Sequence, residues 1–237
     1  MLFRKKNRFK PFYKKFVNIG ENIKNSRKIL KFKKKKWNYL INILTRKLKR
    51  YNKYKSYNQQ QYLITRKTNR FSSYKQGRYR GTLQAYRKFI LFYGYFTKRK
   101  IRSYINKTVK TSKTNINLNF LNLFESRLDT TLYRAKFCKS IRTSRQLIAH
   151  NGVLVNDKQV NNHSYVLKIG DLIKIKKKSH KLIEKNIATS VIWPVPPKHL
   201  TINYKTLQLI FGTVSTNNLS IYFSFNLNLE KLLVDFK

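Results

Sequence analysis

The 237 residues carry 54 Lys plus Arg against 8 Asp plus Glu, a net charge of +46, and such self-repulsion weakens a compact monomer unless a polyanion binds it. Hydrophobic residues make up 41% of the chain, which excludes a purely disordered tail, and no uninterrupted apolar run approaches the length of a membrane span. A single cysteine, Cys138, excludes an intramolecular disulfide and a cysteine-rich zinc site.

Residues 1–60 read as a basic, aromatic-rich N-terminal extension. Its densest charge run ends in Lys33, Lys34, Lys35, Lys36 and Trp37, and Phe9, Phe12, Tyr13, Phe16, Phe32 and Tyr39 are interleaved with the cations. Aromatic rings among cations can stack on bases while the cations neutralise phosphates. The first residues, MLFRKKNRFKPFYKK, have neither an apolar signal core nor a Ser-rich transit segment. Lys, Asn, Ile, Phe and Tyr are abundant whereas Gly (7) and Pro (4) are scarce. That balance fits an A/T-rich genome such as an organelle's, and a protein encoded there needs no import signal.

Between Glu21 and Glu125 there is no carboxylate at all. A soluble surface normally mixes signs, so this region is expected to face polyanion, and it lacks the carboxylates that acid–base catalysis usually draws on. Arg46 to Arg70 has weak periodicity and reads as part helix, part irregular extension. From Leu83 to Lys107 two helices are expected, the first ending at Tyr93-Gly94 with Leu83, Tyr86 and Ile90 inward. The second is capped by Thr97, with Ile101, Tyr104 and Ile105 inward. Lys98, Arg99 and Lys100 fill its first turn, where cations oppose the helix dipole unless an anion is bound. Thr108 to Asn119 is polar and reads as a linker.

Leu121, Phe124, Leu128, Leu132 and Ala135 fall on one helical stripe, with Arg127 and Arg134 together on its flank. Ser140 is placed to cap a second helix whose inner line is Ile141, Ser144 and Ile148, leaving Arg142 and Arg145 opposite. Asn151-Gly152 ends it. The period then becomes two: Val153 to Val155, a turn at Asn156-Asp157, and a return from Lys158 to Val160. Gly170-Asp171 is another turn, after which Ile173 and Ile175 point one way and Lys174 and Lys176 the other. Beyond Lys178 the charge thins and Pro194, Pro196 and Pro197 break the chain. Ser220 to Leu227 alternates as a strand, and Asn228 can cap a last helix with Leu229, Leu232, Leu233 and Phe236 on one face.

The segments SRLDTTLYRAKF, TSRQLIAHNGVLVNDKQVN and SYVLKIGD resemble the RNA-binding domain of the S-four family of small-subunit ribosomal proteins. The departures are local: His150-Asn151 stands for the family's His-Gly, Asn156-Asp157 for its Asn-Gly, and Asn162-His163 for its Ile-Pro. LQAYRKFILFYGYFTKRKIRSYINK resembles a second family signature, whose Glu in the second helix's first turn is replaced here by cations. PKHLTINYKTLQLIFGTV and NLEKLLVDFK resemble the family's C-terminal part, and RFKPFYKKF with LKFKKKKW resembles mitochondrial N-termini. The resemblance implies an α+β fold: a helical domain with an inserted small RNA-binding domain of two helices on a short β-sheet, plus the N-terminal extension. The corresponding ranges are 1–60, 61–115 (helical), 116–180 (small domain) and 181–237 (returning to the helical domain).

Enzyme chemistry finds little support. RLDTT at Arg127 to Thr131 looks like the segment that carries the nucleophilic Asp of pseudouridine synthases. Those enzymes, however, carry it in a separate large domain after the small one, and here it lies within the small domain's first helix. Asp129 is therefore read as a helix-surface or salt-bridging residue. His150, His163, His180 and His199 have no metal-like spacing, and neither cofactor nor metal is expected. The expected partners are small-subunit rRNA, neighbouring ribosomal proteins and mRNA where it enters the subunit, with no membrane. The expected location is the mitochondrial ribosome, with the chloroplast, a free RNA chaperone and an RNA-modifying enzyme as alternatives. The RNA-facing residues are expected to be Arg127, Arg134, Lys136, Lys139, Arg142, Arg145, Gln146, His150, Asn156 and Lys158, with Tyr93, Lys98, Arg99 and Lys100, and with Lys33 to Trp37 in the extension.

Overall fold

The computed structural model describes residues 19, 23, 35–53, 74–111, 116–188, 196–213, 223, 225, 227 and 229–234. The chain divides into two compact units, Met1–Lys88 with Ser224–Leu227, and Phe89–Phe223 with Asn228–Lys237. In the first unit a 3-10 turn, Lys35–Trp37, leads into helix α1, Asn38–Lys53, which buries Leu40 and exposes Tyr39. Helix α2, Tyr74–Tyr93, begins in this unit and ends in the second.

The second unit starts with an aromatic cluster. Helix α3 is Lys98–Thr111 and α4 is Ile116–Glu125. Phe124 on α4 meets the rings of Phe89, Phe96, Tyr104 and Phe120 at centroid distances of 4.8, 5.2, 5.1 and 5.0 Å. Aromatic pairs at such distances favour edge-to-face geometry and each contributes beyond the area it buries. On α2 the buried line is Ala85, Phe89, Phe92 and Tyr93, whereas the expected line Leu83, Tyr86 and Ile90 is half-buried. FILFY is apolar on every side, so period alone cannot choose a phase, and the large rings take the interior. The expected linker is shorter than its polarity implied: α3 runs on to Thr111 because Thr108 turns inward, its hydroxyl donating to the Ile105 carbonyl at 2.7 Å.

The stripe from Leu121 to Ala135 is buried throughout, but it belongs to two helices. Arg127 is extended (φ −76°, ψ 136°) and α5 begins at Leu128, running to Arg134. Here the backbone bonds across to the chain at 165–167: Leu128 N–H donates to the Tyr165 carbonyl at 3.0 Å and Leu167 N–H to the Ser126 carbonyl at 2.8 Å. These bonds satisfy the groups that a continuous helix would have paired internally.

Helix α6, Ile141–Ala149, starts with the expected cap. The Ser140 hydroxyl accepts from Thr143 N–H at 3.2 Å and the Thr143 hydroxyl accepts from Ser140 N–H at 3.1 Å. It ends in a Schellman arrangement: Asn151 is left-handed at φ 58°, and Gly152 N–H donates to the Leu147 carbonyl at 3.0 Å. Strand β1, Val153–Val155, turns at Asn156 (φ 48°) and Asp157 (φ 63°) into β2, Lys158–Gln159. Two positive φ values make the mirror-image turn that suits strand twist.

Strand β3 is Leu172–Ile175, and a 3-10 turn at Lys177–Ser179 precedes helix α7, His180–Ala188. Strands β4, Leu200–Asn203, and β5, Gln208–Phe211, then complete an antiparallel sheet of order β2-β1-β3-β5-β4. This corrects the expectation for residues 181–237. β5 pairs Leu172 with Ile210 and Ile173 with Leu209, so part of the C-terminal segment extends the small domain's own sheet. It thereby covers the β3 edge, whose N–H and C=O groups would otherwise lie open. Leu132, Phe137, Ile148, Val153, Ile173, Ile183, Leu209 and Phe211 share the core beneath the sheet. A last helix, α8, is Leu229–Val234 with Leu232 and Leu233 buried. The strand expected over 220–227, and the positions Asn228 and Phe236, lie largely outside the described residues.

Candidate nucleic-acid interface

Two buried carboxylates organise the basic residues of the second unit. Asp129 accepts from Arg127 in a bidentate pair, Nε to Oδ1 at 3.0 Å and Nη2 to Oδ2 at 3.0 Å. Its Oδ2 also accepts from Arg145 Nε at 2.8 Å. Glu125 holds Arg134, whose Nη2 lies 2.6 Å from Oε1, and it accepts the Tyr93 hydroxyl as well. The Arg134 guanidinium is further covered by the rings of Phe92 at 4.5 Å and Phe223 at 5.0 Å. Burial alone would lower its pKa, but Glu125 and then Tyr93 outweigh that and keep the group charged. Burial, then the Glu125 charge, pushes the Tyr93 hydroxyl well up, so it stays a donor. Paired charges inside a protein are affordable only with such full pairing.

These pairs overturn part of the expected RNA face. Arg127 and Arg134 are buried within ion pairs, and Tyr93 is buried against Glu125, so none of the three presents its polar group to a ligand. Asp129 is the salt-bridging residue that was one reading of RLD, though inside rather than on the surface. Arg145 is divided: 29% of its side chain is accessible, and its Nη2 donates to the Gly94 carbonyl at 3.2 Å. Asn156 is exposed, yet its amide is occupied by Asp171 Oδ1 and Leu172 N–H, both at 2.9 Å. Lys136 is half-buried with its Nζ 5.9 Å from the Tyr133 ring centroid, and burial, then the Arg134 charge, lowers its pKa.

The remaining expected residues do lie at the surface. Lys139, Arg142, Gln146 and His150 are exposed, the last three spaced four apart along α6 and its end. Lys98, Arg99 and Lys100 are exposed at the start of α3, where Lys100 N–H donates to the Thr97 hydroxyl at 3.4 Å. Lys158 is exposed on β2. The Gly94–Arg145 contact brings the first turn of α3 beside α6. Gly94 is needed there twice: its φ is +84°, and a Cβ would lie 3.1 Å from Ile141 Cγ2. No exposed carboxylate lies on α3, α4, α5 or α6. In the extension Lys35 is exposed and Trp37 half-buried, whereas Lys33, Lys34 and the side chain of Lys36 lie outside the described residues. Sequence reasoning missed Tyr95 and Phe96 beside these cations: Tyr95 is exposed with the Arg142 guanidinium 5.8 Å from its centroid, and Phe96 packs beneath Arg127 and Lys100.

Such a surface can hold phosphates in the first turns of two helices whose backbone N–H groups and cations act together. Residues 126–173 match the profile of the S4 domain. The chain is 36% identical over 132 residues to "Small ribosomal subunit protein uS4m" of Marchantia polymorpha. It is 32% identical over 166 residues to the protein of that name from Reclinomonas americana, and 36% identical over 129 residues to "Small ribosomal subunit protein uS4" of Pelagibacter ubique. The chain carries an S4 domain. These alignments take in 54%, 66% and 54% of this chain and 65%, 64% and 62% of the relatives' own lengths, just short of two thirds. The S4 domain contains α5, α6, β1, β2 and the first half of β3. The alignments are more than twice as long as the S4 domain alone, and β4 and β5 join its sheet from beyond the matched residues.

Proposed function

We propose that this chain is a structural constituent of the small subunit of a mitochondrial ribosome, binding small-subunit rRNA and supporting its assembly. The observation that carries the reading is the extent of the similarity. Relatives named as small ribosomal subunit proteins align over 129 to 166 residues, whereas an S4 domain borrowed by an RNA-modifying enzyme or a free chaperone would match over that domain alone. The charge distribution supports it: Glu125 and Asp129 are drawn inside to position arginines, and α3 and α6 keep exposed cations for a polyanion. Lys98, Arg99, Lys100, Lys139, Arg142, Gln146, His150 and Lys158 contact the RNA, and folded modules fix its shape rather than reading duplex sequence. The lysine-rich residues before α1 add affinity of lower specificity. Neighbouring subunit proteins, and mRNA where it enters, complete the surroundings, and the helical parts on either side of the S4 domain frame it as an insertion. A composition poor in Gly and Pro supports an organellar gene.

Sedimentation of an organelle lysate tests this. The tagged chain should co-migrate with the small subunit through a high-salt wash, in mitochondria rather than plastids. Recovery at the top of the gradient would refute the ribosomal role.

A further inference from the structure

We infer that Tyr95 is a stacking platform for an unpaired base of the bound RNA. The inference rests on the RNA-binding reading above and adds the kind of nucleotide the surface takes. Tyr95 follows Gly94 in the connection between α2 and α3, and its neighbours Tyr93 and Phe96 are both buried. Tyr95 alone of the three turns outward, 38% exposed, with a left-handed backbone at φ 40°. The Arg142 guanidinium lies 5.8 Å from its ring centroid, which sets a cation at the ring from the neighbouring helix. The Arg145–Gly94 bond at 3.2 Å holds the connection on α6, so the ring has a fixed seat. Lys98, Arg99 and Lys100 are exposed within five residues of it.

An aromatic face with cations around it binds a base by stacking and its flanking phosphates by charge. A base in a duplex has no free π-face, so the ligand is a nucleotide in a loop or bulge, approached from its backbone side by the cations.

The test uses the full chain and two RNA probes, a blunt duplex and the same duplex with an internal loop of unpaired adenines containing 2-aminopurine. The loop RNA should bind about tenfold tighter and its 2-aminopurine fluorescence should be quenched. Tyr95→Phe should keep both effects. Tyr95→Gly, which suits the positive φ and so keeps the fold, should lose the preference and the quenching while binding the duplex as before. Preference surviving in Tyr95→Gly, or lost in Tyr95→Phe, would overturn the inference. Equal, salt-sensitive binding of both RNAs by the unaltered chain would overturn it while leaving the RNA-binding reading intact. Binding of neither would remove both.

Discussion

Asp129 and Arg145 are 16 residues apart in the chain and meet at 2.8 Å, and the same arginine reaches the carbonyl of Gly94. The contact ties α5 to α6 and both to the connection ahead of α3. Because Asp129 also neutralises the buried Arg127, replacing it with Asn leaves a guanidinium in the interior without its counter-charge. The expected cost is about 3–5 kcal/mol. Arg145→Ala should cost less, about 1–2 kcal/mol, because that side chain is partly in water. Urea unfolding of both variants and of the double variant checks this, the double costing clearly less than the sum. The pseudouridine content of the organelle's RNA should not change in Asp129→Asn, since the carboxylate acts as a counter-ion.

Arg134 and Arg142 should separate stability from binding. Arg134→Ala leaves Glu125 buried without its cation and should destabilise by about 3–5 kcal/mol. Arg142 is exposed, so Arg142→Ala should change stability by no more than about 0.5 kcal/mol while weakening binding to a cognate rRNA fragment several-fold. Thermal melts and a binding titration on the same preparations give the comparison. A stable Arg134→Ala with impaired binding would mean that Arg134 reaches the ligand after all.

Local chemistry was readable in advance because it needs only near neighbours. Ser140 caps through Thr143, Asn156-Asp157 turns through its own backbone, and Ile173 and Ile175 bury one face of β3. The fate of Arg127 and Arg134 was not, since a helical period assigns every arginine on a flank to solvent. The signal was in the carboxylates: Glu125 and Asp129 flank Arg127 in a chain almost without acids, and each takes an arginine inward. The alternation in Gln208 to Phe211 betrays a strand but not its partner, because the pairing of Leu209 with Ile173 joins residues 36 apart in the numbering. Tyr95 was hidden among three other aromatics in FYGYF, where only the backbone reversal at Gly94 decides which ring faces out.

His199 gives the folded protein a pH dependence. It is buried, with its Nε2 3.7 Å from Glu125 Oε2 and without a hydrogen-bond partner among the described residues. Burial lowers its pKa, Glu125 opposes that, and Arg134 adds to it, so the net direction is downward from 6.5. The folded state prefers the neutral ring, so the unfolded chain takes up the proton first. Stability is therefore complete above the ordinary histidine value and declines as pH falls through it towards the folded value. Urea midpoints of the unaltered chain should drop between about pH 7.5 and 5.5 more steeply than those of His199→Gln. Equal slopes would place the titrating group elsewhere.

Lys98, Arg99 and Lys100 decide whether the first turn of α3 is a phosphate site. Three exposed cations in a first turn without a carboxylate repel the positive end of the helix dipole, at roughly 0.3–1 kcal/mol each. A phosphate seated against the N–H groups of that turn reverses the sign of each contribution. If each cation meets about one phosphate, its removal also cancels one counter-ion release, worth about 0.7–0.9 in the slope of log K against log salt. Changing all three to Ala should thus reduce the slope magnitude by about 2–3 and, with the dipole repulsion gone, leave the free protein as stable or slightly more so. Replacing Lys177, Lys178 and Lys181, which are exposed around the start of α7, removes the same charge from a different element and serves as the control. Binding to a small-subunit rRNA fragment across a range of KCl concentrations gives both slopes. If the two triple variants flatten the slope equally, net charge rather than the geometry of α3 governs binding, and the first turn is not a phosphate seat.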